Sequence, residues 1–164
     1  CDEVGVPLFI EDSNIKEIVF DIRKEKNPCS LCANLRRGII NSVAIREGCN
    51  KIALGHNEDD VLETFLLNLF YTGSLSTFSP KSYMDRSQIT LIRPLILLSE
   101  KDTNRFVKKN NKQVMPKVCP MDEHTKREDM KTQIFLWQKN IPMLRANLFG
   151  AISRNLEGWK EKNV

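Results

Sequence analysis

Residues Lys51–Thr64 read KIALGHNEDDVLET, and this stretch predicts a strand, a turn and a helix in succession. Its first part, Ile52–Leu54, is a short apolar run of the length that a buried parallel strand has. Gly55 then permits a tight bend and the close approach of a ligand, because it has no Cβ atom. The acidic residues Glu58–Asp60 begin a helix whose apolar positions recur at helical spacing. Open α/β sheets bind ligands where a strand leads into a helix N-terminus, so we expect a ligand here.

Three carboxylates of this stretch fall on one flank of the predicted helix. Asp59 and Asp60 precede Glu63 by four and three residues, and helical neighbours at that spacing share a face. Carboxylates beside a phosphate need a hard cation such as Mg²⁺ between them. A purely structural explanation also fits, with Asn57 as the N-cap and acids favoured in the first turn by the helix dipole. The pattern alone leaves both explanations open.

Further helices and strands are predicted on either side of this stretch. A helix is indicated over 30–47, and capping boxes at Ser99 and Thr125 start two more. An apolar run at Val6–Ile10 predicts a strand, and residues 75–98 predict a loop or hairpin with a strand that ends near Arg93. The alternation of predicted strands and helices indicates an α/β fold. We expect a partial doubly wound (Rossmann-like) parallel sheet with covering helices, followed by a helical C-terminal part.

We expect two portions in this fold. Residues 1–110 would form the C-terminal portion of an α/β domain. Residues 111–164 would contribute a cysteine-bearing loop and C-terminal helices packed on the same domain.

The composition is that of a soluble globular protein, with 41% hydrophobic and 28% charged residues. No apolar run approaches a membrane span, and the N-terminus lacks the pattern of a signal peptide. We therefore expect no membrane partner. Five cysteines, an odd number, argue against a disulfide framework and for a reducing, cytoplasmic location.

The cysteines suggest metal chemistry. Cys29 and Cys32 flank the start of a predicted helix, where the dipole favours the thiolate form. A C-x-x-C pair places two sulfurs within reach of one metal, but a stable site needs a third or fourth ligand. Cys119 is the natural third ligand and His124 is an alternative fourth. Cys49 is expected to be an inert core thiol.

The segment Gly55–Thr64, GHNEDDVLET, resembles the second ATP-site motif of the PP-loop ATP pyrophosphatases, which adenylate a substrate carbonyl. Within that family the sequence most resembles the tRNA 2-thiocytidine synthetases. The similarity extends over 7–159, and four further features match in order: Cys29–Cys32 with Leu35–Gly38, Phe65–Tyr71, Ile92–Leu95, and Cys119 after Pro116. The Ser-Gly-Gly-x-Asp-Ser pyrophosphate loop of the family does not occur in the sequence. We therefore expect a fragment that does not turn over ATP by itself.

The resemblance implies ATP-dependent, iron–sulfur-dependent thiolation of tRNA, in which a cytidine carbonyl is adenylated and its oxygen replaced by sulfur. It implies ATP, Mg²⁺ and a [4Fe–4S] cluster as cofactors. Its partners would be tRNA, a sulfur donor (a cysteine desulfurase or sulfide) and a second copy in a homodimer. The implied catalytic residues are Asp59, Cys29 and Cys32. The implied cluster ligands are Cys29, Cys32 and Cys119. The nucleotide or Mg²⁺ would contact Gly55, His56, Asn57, Asp60, Glu63 and Arg93.

Two other functions fit parts of the pattern. A zinc-stapled RNA-binding module would use Cys29, Cys32, Cys119 and His124 as ligands. Another PP-loop ligase, such as a tRNA lysidine synthetase, would share the GHNEDD motif, but the C-x-x-C pair with Cys119 argues against it. Arg93 either meets a phosphate or simply ends a strand before Pro94.

Overall fold

The computed structural model describes residues 1–24, 28–114, 119, 121 and 125–160. The chain divides into two compact units, residues 1–50 and 51–164. Helices predominate, and one small sheet lies in the second unit, so the predicted α/β class is confirmed. Among the described helices, none combines the length and the apolar character needed to cross a membrane. The division into portions at residue 110 stays a prediction.

The first unit is built on one long helix. Helix α1 spans Pro28–Arg46, and proline suits a first helical turn because it has no N–H to satisfy there. A π-helical segment, Glu17–Ile22, precedes it in the chain, and its Val19 is fully buried. Arg46 in the last turn of α1 forms an ion pair with Glu11. The predicted helix over 30–47 is thus confirmed.

The predicted strand at Val6–Ile10 is wrong. The structure places no strand there, and Val6, Leu8 and Ile10 are 54%, 65% and 78% exposed. An apolar run becomes a strand only where a neighbouring strand takes up its backbone hydrogen bonds. The described part of the first unit contains no such neighbour.

The second unit contains a three-stranded sheet in the order β1-β3-β2. Strand β1 (Lys51–Ala53) runs parallel to β3 (Ile89–Ile92), and β2 (Lys81–Met84) pairs with β3 as an antiparallel hairpin. Ile52 lies opposite Leu91, and both side chains are buried. The strand predicted at Ile52–Leu54 is therefore confirmed as β1, and the predicted hairpin is confirmed as β2 and β3.

Helix α2 (Glu58–Thr72) lies at the centre of the core of this unit. It packs against α4 (Lys126–Asn140) and α5 (Leu144–Asn155), while α3 (Glu100–Lys109) and the short α6 (Glu157–Lys160) complete the helices described here. The core cluster consists of Ile96, which follows β3, and of buried side chains from α2, α4, α5 and α6: Val61, Leu62, Phe65, Leu66, Met130, Ile134, Ile152 and Trp159. The apolar face predicted for α2 is the face that is buried.

Side chains cap the helices as the sequence predicts. The Asn57 side chain accepts a hydrogen bond from the Asp60 N–H at 3.1 Å, and the Asp60 carboxylate accepts one from the Asn57 N–H at 2.9 Å. This reciprocal pair is a capping box, which satisfies two otherwise unpaired donors of α2. The hydroxyl groups of Ser99 and Thr125 cap α3 and α4 by accepting hydrogen bonds from the Asp102 and Glu128 N–H groups. The structural explanation for Asn57 is therefore confirmed.

Candidate functional site

The carboxyl ends of β1 and β3 meet at one edge of the sheet, because the two strands are parallel. The Leu54 N–H donates to the Ile92 carbonyl at 2.9 Å, which holds the chain together just beyond both strands. Gly55–Asn57 continue from β1, and Arg93 continues from β3. The structure thus brings four of the predicted contact residues to the edge where open α/β sheets bind ligands.

Phe78 joins the residues that follow the two strands. The His56 ring lies 4.7 Å from the Phe78 ring, centroid to centroid. The guanidinium of Arg93 lies 4.8 Å from the same centroid, a cation–π contact. Phe78 was not singled out by sequence reasoning, since an aromatic residue in an irregular segment carries no positional pattern.

Arg93 is buried, with 9% of its surface exposed. It donates a hydrogen bond from Nη1 to the Ser79 carbonyl at 2.6 Å. The backbone N–H of Arg93 donates to the Pro80 carbonyl at 3.0 Å. Arg93 therefore holds the segment before β2 against the end of β3, and a contact with phosphate stays a prediction.

The backbone at Gly55 does not require glycine. Its φ lies outside the left-handed region, and a Cβ atom added there would meet no other heavy atom within 4 Å. The expected tight bend is therefore not the reason for a glycine at this position. The surface above Gly55 is open, which is the condition for a ligand to approach the backbone closely.

Asp59 binds an arginine and a helix N-terminus. Its carboxylate lies 2.8 Å from Arg145 Nη1 in α5, and it accepts a hydrogen bond from the Glu100 N–H at 2.7 Å. Glu58 lies 3.4 Å from Arg145 Nη2. Burial raises the pKa of Glu58 above its usual value, against the opposing effect of Arg145. Asp59 thereby connects α2 with α3 and α5.

Asp60 and Glu63 share a second arginine. Arg127 Nη1 in α4 lies 2.9 Å from Asp60 and 3.6 Å from Glu63, and its Nη2 donates to the Thr64 hydroxyl at 3.1 Å. Glu63 is 5% exposed. Burial raises the pKa of Glu63 to about 7, with Arg127 lowering it and the Asp60 charge raising it further. Glu63 therefore titrates near neutral pH.

The two arginines that pair with these carboxylates were not predicted as site residues from the sequence. Arg127 and Arg145 each occupy the second position of a helix, where the dipole disfavours a cation. An arginine at the start of a helix is therefore a signal in the sequence, because a cation at that position needs an acidic partner. In the part of the chain that the structure describes, no three His, Cys, Asp or Glu side chains are grouped so as to hold a metal ion.

The cysteines of the chain are all free thiols. Cys29 is exposed and Cys32 is half-buried, both in the first turns of α1 in the first unit. Cys119 is exposed in the second unit, and His124 lies outside the described residues. Cys49 is exposed, so its assignment to a core is wrong. The ligand set Cys29, Cys32 and Cys119 stays a prediction.

Comparison with known proteins identifies the family of the chain. The PP-loop domain family matches residues 1–135. The tRNA-cytidine(32) 2-sulfurtransferase of Syntrophotalea carbinolica is 42% identical over 153 residues, which are 92% of this chain and 59% of that protein. The protein of the same name from Verminephrobacter eiseniae is 39% identical over 150 residues, 90% of this chain and 48% of that one. The chain spans about half the length of these curated relatives.

A solved structure shares the fold. It is the U34-tRNA thiolase NcsA from Methanococcus maripaludis with its [4Fe–4S] cluster. The TM-score is 0.67 at 26% identity, and the match covers 84% of this chain and 46% of that one. The family match, the two relatives and the shared fold agree with the family resemblance of the sequence. The chain belongs to the PP-loop domain family.

Proposed function

We propose that this chain carries the nucleotide motif and the cysteines of an ATP-dependent, iron–sulfur-dependent tRNA thiolase. The reaction is adenylation of a cytidine carbonyl followed by replacement of its oxygen with sulfur. The observation that carries the proposal is the 42% identity, over 92% of this chain, with a tRNA-cytidine(32) 2-sulfurtransferase. The sulfur comes from a cysteine desulfurase or from sulfide, and the reducing cytoplasm is the compartment in which free cysteines persist.

The edge of the sheet beyond β1 and β3 is the proposed nucleotide site. ATP supplies the adenylyl group that turns a carbonyl oxygen into a leaving group. The open surface above Gly55 would admit a phosphate or ribose close to the backbone. His56 and Asn57 follow directly, and the N-terminus of α2 favours negative charge at this point.

Mg²⁺ would accompany ATP, but Asp59, Asp60 and Glu63 do not fit a metal site as they stand. Asp59 and Asp60 bind Arg145 and Arg127, and Glu63 is half-protonated near neutral pH. A cation would have to displace the guanidinium groups from the same oxygens. We therefore assign Asp59 and Asp60 to orientation of the nucleotide edge, through these arginines, and place no catalytic step on a protein-bound metal.

The cysteines fit an iron–sulfur cluster by their chemistry. Cys29 and Cys32 lie three residues apart in the first turn of α1, so their side chains share one flank of the helix. Both are free thiols. Thiolates are the ligands of iron–sulfur clusters, and Cys119 would supply the third. The cluster would carry the sulfur that is transferred.

Replacing Cys29, Cys32 or Cys119 singly with Ala is expected to remove cluster iron and to abolish formation of 2-thiocytidine in tRNA. Each variant loses one of only three thiolate ligands, and a cluster held by two is unstable. Iron and acid-labile sulfide are measured after anaerobic reconstitution of the chain. Thiolated nucleosides are measured by mass spectrometry after incubation of the complete protein with tRNA, ATP, Mg²⁺ and sulfide.

Cys49→Ala is the matched control, since Cys49 is an exposed free thiol outside the proposed ligand set. It is expected to keep wild-type iron content and activity. Equal iron content in all four variants would contradict the ligand set. A colourless protein that binds zinc and no iron would contradict the thiolase and favour a zinc-stapled RNA-binding module.

A homodimer is part of the proposal and has its own test. The exposed apolar side chains of Val6, Leu8 and Ile10 support self-association, because burying them removes apolar surface from water. Light scattering at micromolar concentration is expected to give the mass of two chains. The triple variant Val6→Ser, Leu8→Ser, Ile10→Ser is expected to give one. A wild-type monomer at high concentration would contradict the dimer.

Glu63 is expected to make stability fall as pH rises from about 4.5 to about 7. Its pKa is 4.5 in a model compound and about 7 in the folded protein, so the folded state binds the proton more tightly. At higher pH the fold must carry a buried charge. Glu63→Gln removes this cost. From pH 5 to pH 8, the free energy of unfolding of the variant is therefore expected to rise by up to about 3 kcal/mol relative to that of the wild type. Urea unfolding at both pH values measures the difference.

The exposed Glu157→Gln is the control for this titration, and its effect is expected to be the same at both pH values. If Glu63→Gln also shifts stability equally at pH 5 and pH 8, Glu63 is ionised throughout. That result would contradict the raised pKa.

A further inference from the structure

One face of α3 is strongly basic. Lys101, Arg105 and Lys108 follow one another at intervals of four and three residues, so they lie on one side of the helix, with Lys109 beside them. Together with Asn104 and Lys131 they line an open groove of about 930 Å³. The helix dipole accounts for Lys108 and Lys109 in the last turn, but it disfavours Lys101 in the first.

The positive charge of this groove is mostly uncompensated. Two acids line it, and both have cationic partners: Asp59 binds Arg145, and Glu100 lies 2.7 Å from Lys131 Nζ. Arg105 makes a long, exposed contact of 3.5 Å with Asp102. Within the described ranges, no carboxylate lies at ion-pair distance from the other three cations, Lys101, Lys108 and Lys109.

An exposed aromatic ring adjoins the basic groove. A second groove shares Asp59 and Lys101 with the first and is lined by Phe135 and Lys139 of α4. Phe135 is 62% exposed, although it lies on a helix whose Met130 and Ile134 are buried. Lys139 Nζ lies 4.9 Å from the centre of the Phe135 ring, a cation–π contact.

Basic side chains in a groove beside an exposed aromatic ring are the combination that binds single-stranded nucleic acid. The cations follow the phosphates, and an unpaired base stacks on the ring. An acidic peptide would satisfy the lysines but would leave the ring exposed. The grooves meet at Asp59, the acid that joins α2 to α3 beside the nucleotide edge.

We propose that the basic face of α3, with Phe135 and Lys139 of α4, binds the unpaired loop of the tRNA substrate. Lys101, Lys108 and Lys109 contact phosphates, and an unstacked base lies on Phe135. The inference rests on the proposed function, because that function supplies RNA as the ligand. A base extruded from the loop would enter from this side, since base chemistry needs an unstacked base.

The salt dependence of tRNA binding tests the phosphate contacts. Replacing Lys101, Lys108 and Lys109 together with Glu is expected to make the plot of log tRNA-binding constant against log salt concentration less steep by about 2. Each lost contact with a single-strand phosphate reduces the steepness by about 0.7. The matched control reverses three exposed cations elsewhere in the same unit, Lys81, Arg86 and Lys160, with the same change in net charge. The control is expected to leave the slope within half a unit of wild type. Equal slopes in the two triple variants would overturn the inference.

Phe135→Ala tests the stacking contact. It is expected to weaken binding of tRNA about tenfold, while Phe135→Tyr restores it and binding of a fully duplex RNA is unchanged. Equal losses on tRNA and duplex RNA would overturn the role of the ring, as would wild-type affinity in the Ala variant. Circular dichroism and a urea midpoint equal to wild type establish that the variants are folded.

These results separate the inference from the proposed function. Loss of iron in the cysteine variants bears on the cluster alone, since the three cysteines are not part of the grooves. A wild-type protein that binds iron and forms 2-thiocytidine, but whose tRNA binding is indifferent to both sets of substitutions, would overturn this surface and leave the thiolase standing. A wild type that binds no tRNA would overturn the surface as well.

Discussion

The carboxylates at the start of α2 hold the second unit together through arginines. Asp59 binds Arg145 from α5 and the first N–H of α3, and Asp60 binds Arg127 from α4. Three helices are thereby fixed to the helix that follows the GHN turn. The Asp59–Arg145 pair is only partly exposed, with 16% of the Asp59 side chain and 22% of the Arg145 side chain accessible, whereas 44% of the Arg127 side chain is accessible. Shielding from water makes such pairs stronger than those on an open surface, and it makes loss of one partner costly.

The acidic motif at the start of α2 lies beside the sheet edge and also anchors three helices. Its charges sit beside the edge where parallel strands end, which suits a nucleotide, and they are also the attachment points for α3, α4 and α5. A residue that only bound a ligand would have no such partners. The capping box of Asn57 and Asp60 adds a third duty, because the same Asp60 that binds Arg127 also satisfies a donor of α2. Function at this motif is therefore coupled to the packing of the unit.

Much of this unit follows from local sequence signals. The short apolar run before Gly55, the spacing of Leu62 and Leu66, and the hydroxyl groups of Ser99 and Thr125 act within a few residues, and each is found as predicted. The strand predicted at Val6–Ile10 is absent because strand pairing is a long-range condition that a short apolar run does not contain. The arginine partners were missed for the same reason, since 67 residues separate Asp60 from Arg127. The only local signal for either arginine was its position at the start of a helix, where a cation is disfavoured.

Asp59 and Arg145 form the ion pair that joins α2 to α5, and this pair is expected to stabilise the second unit. A double-mutant cycle with Asp59→Asn, Arg145→Gln and the double variant measures it by urea unfolding, because Asn keeps the acceptor for the Glu100 N–H and removes only the charge. A coupling free energy of about 1–2 kcal/mol is expected, with the double variant less destabilised than the sum of the single variants. A coupling of zero within error would contradict a stabilising pair.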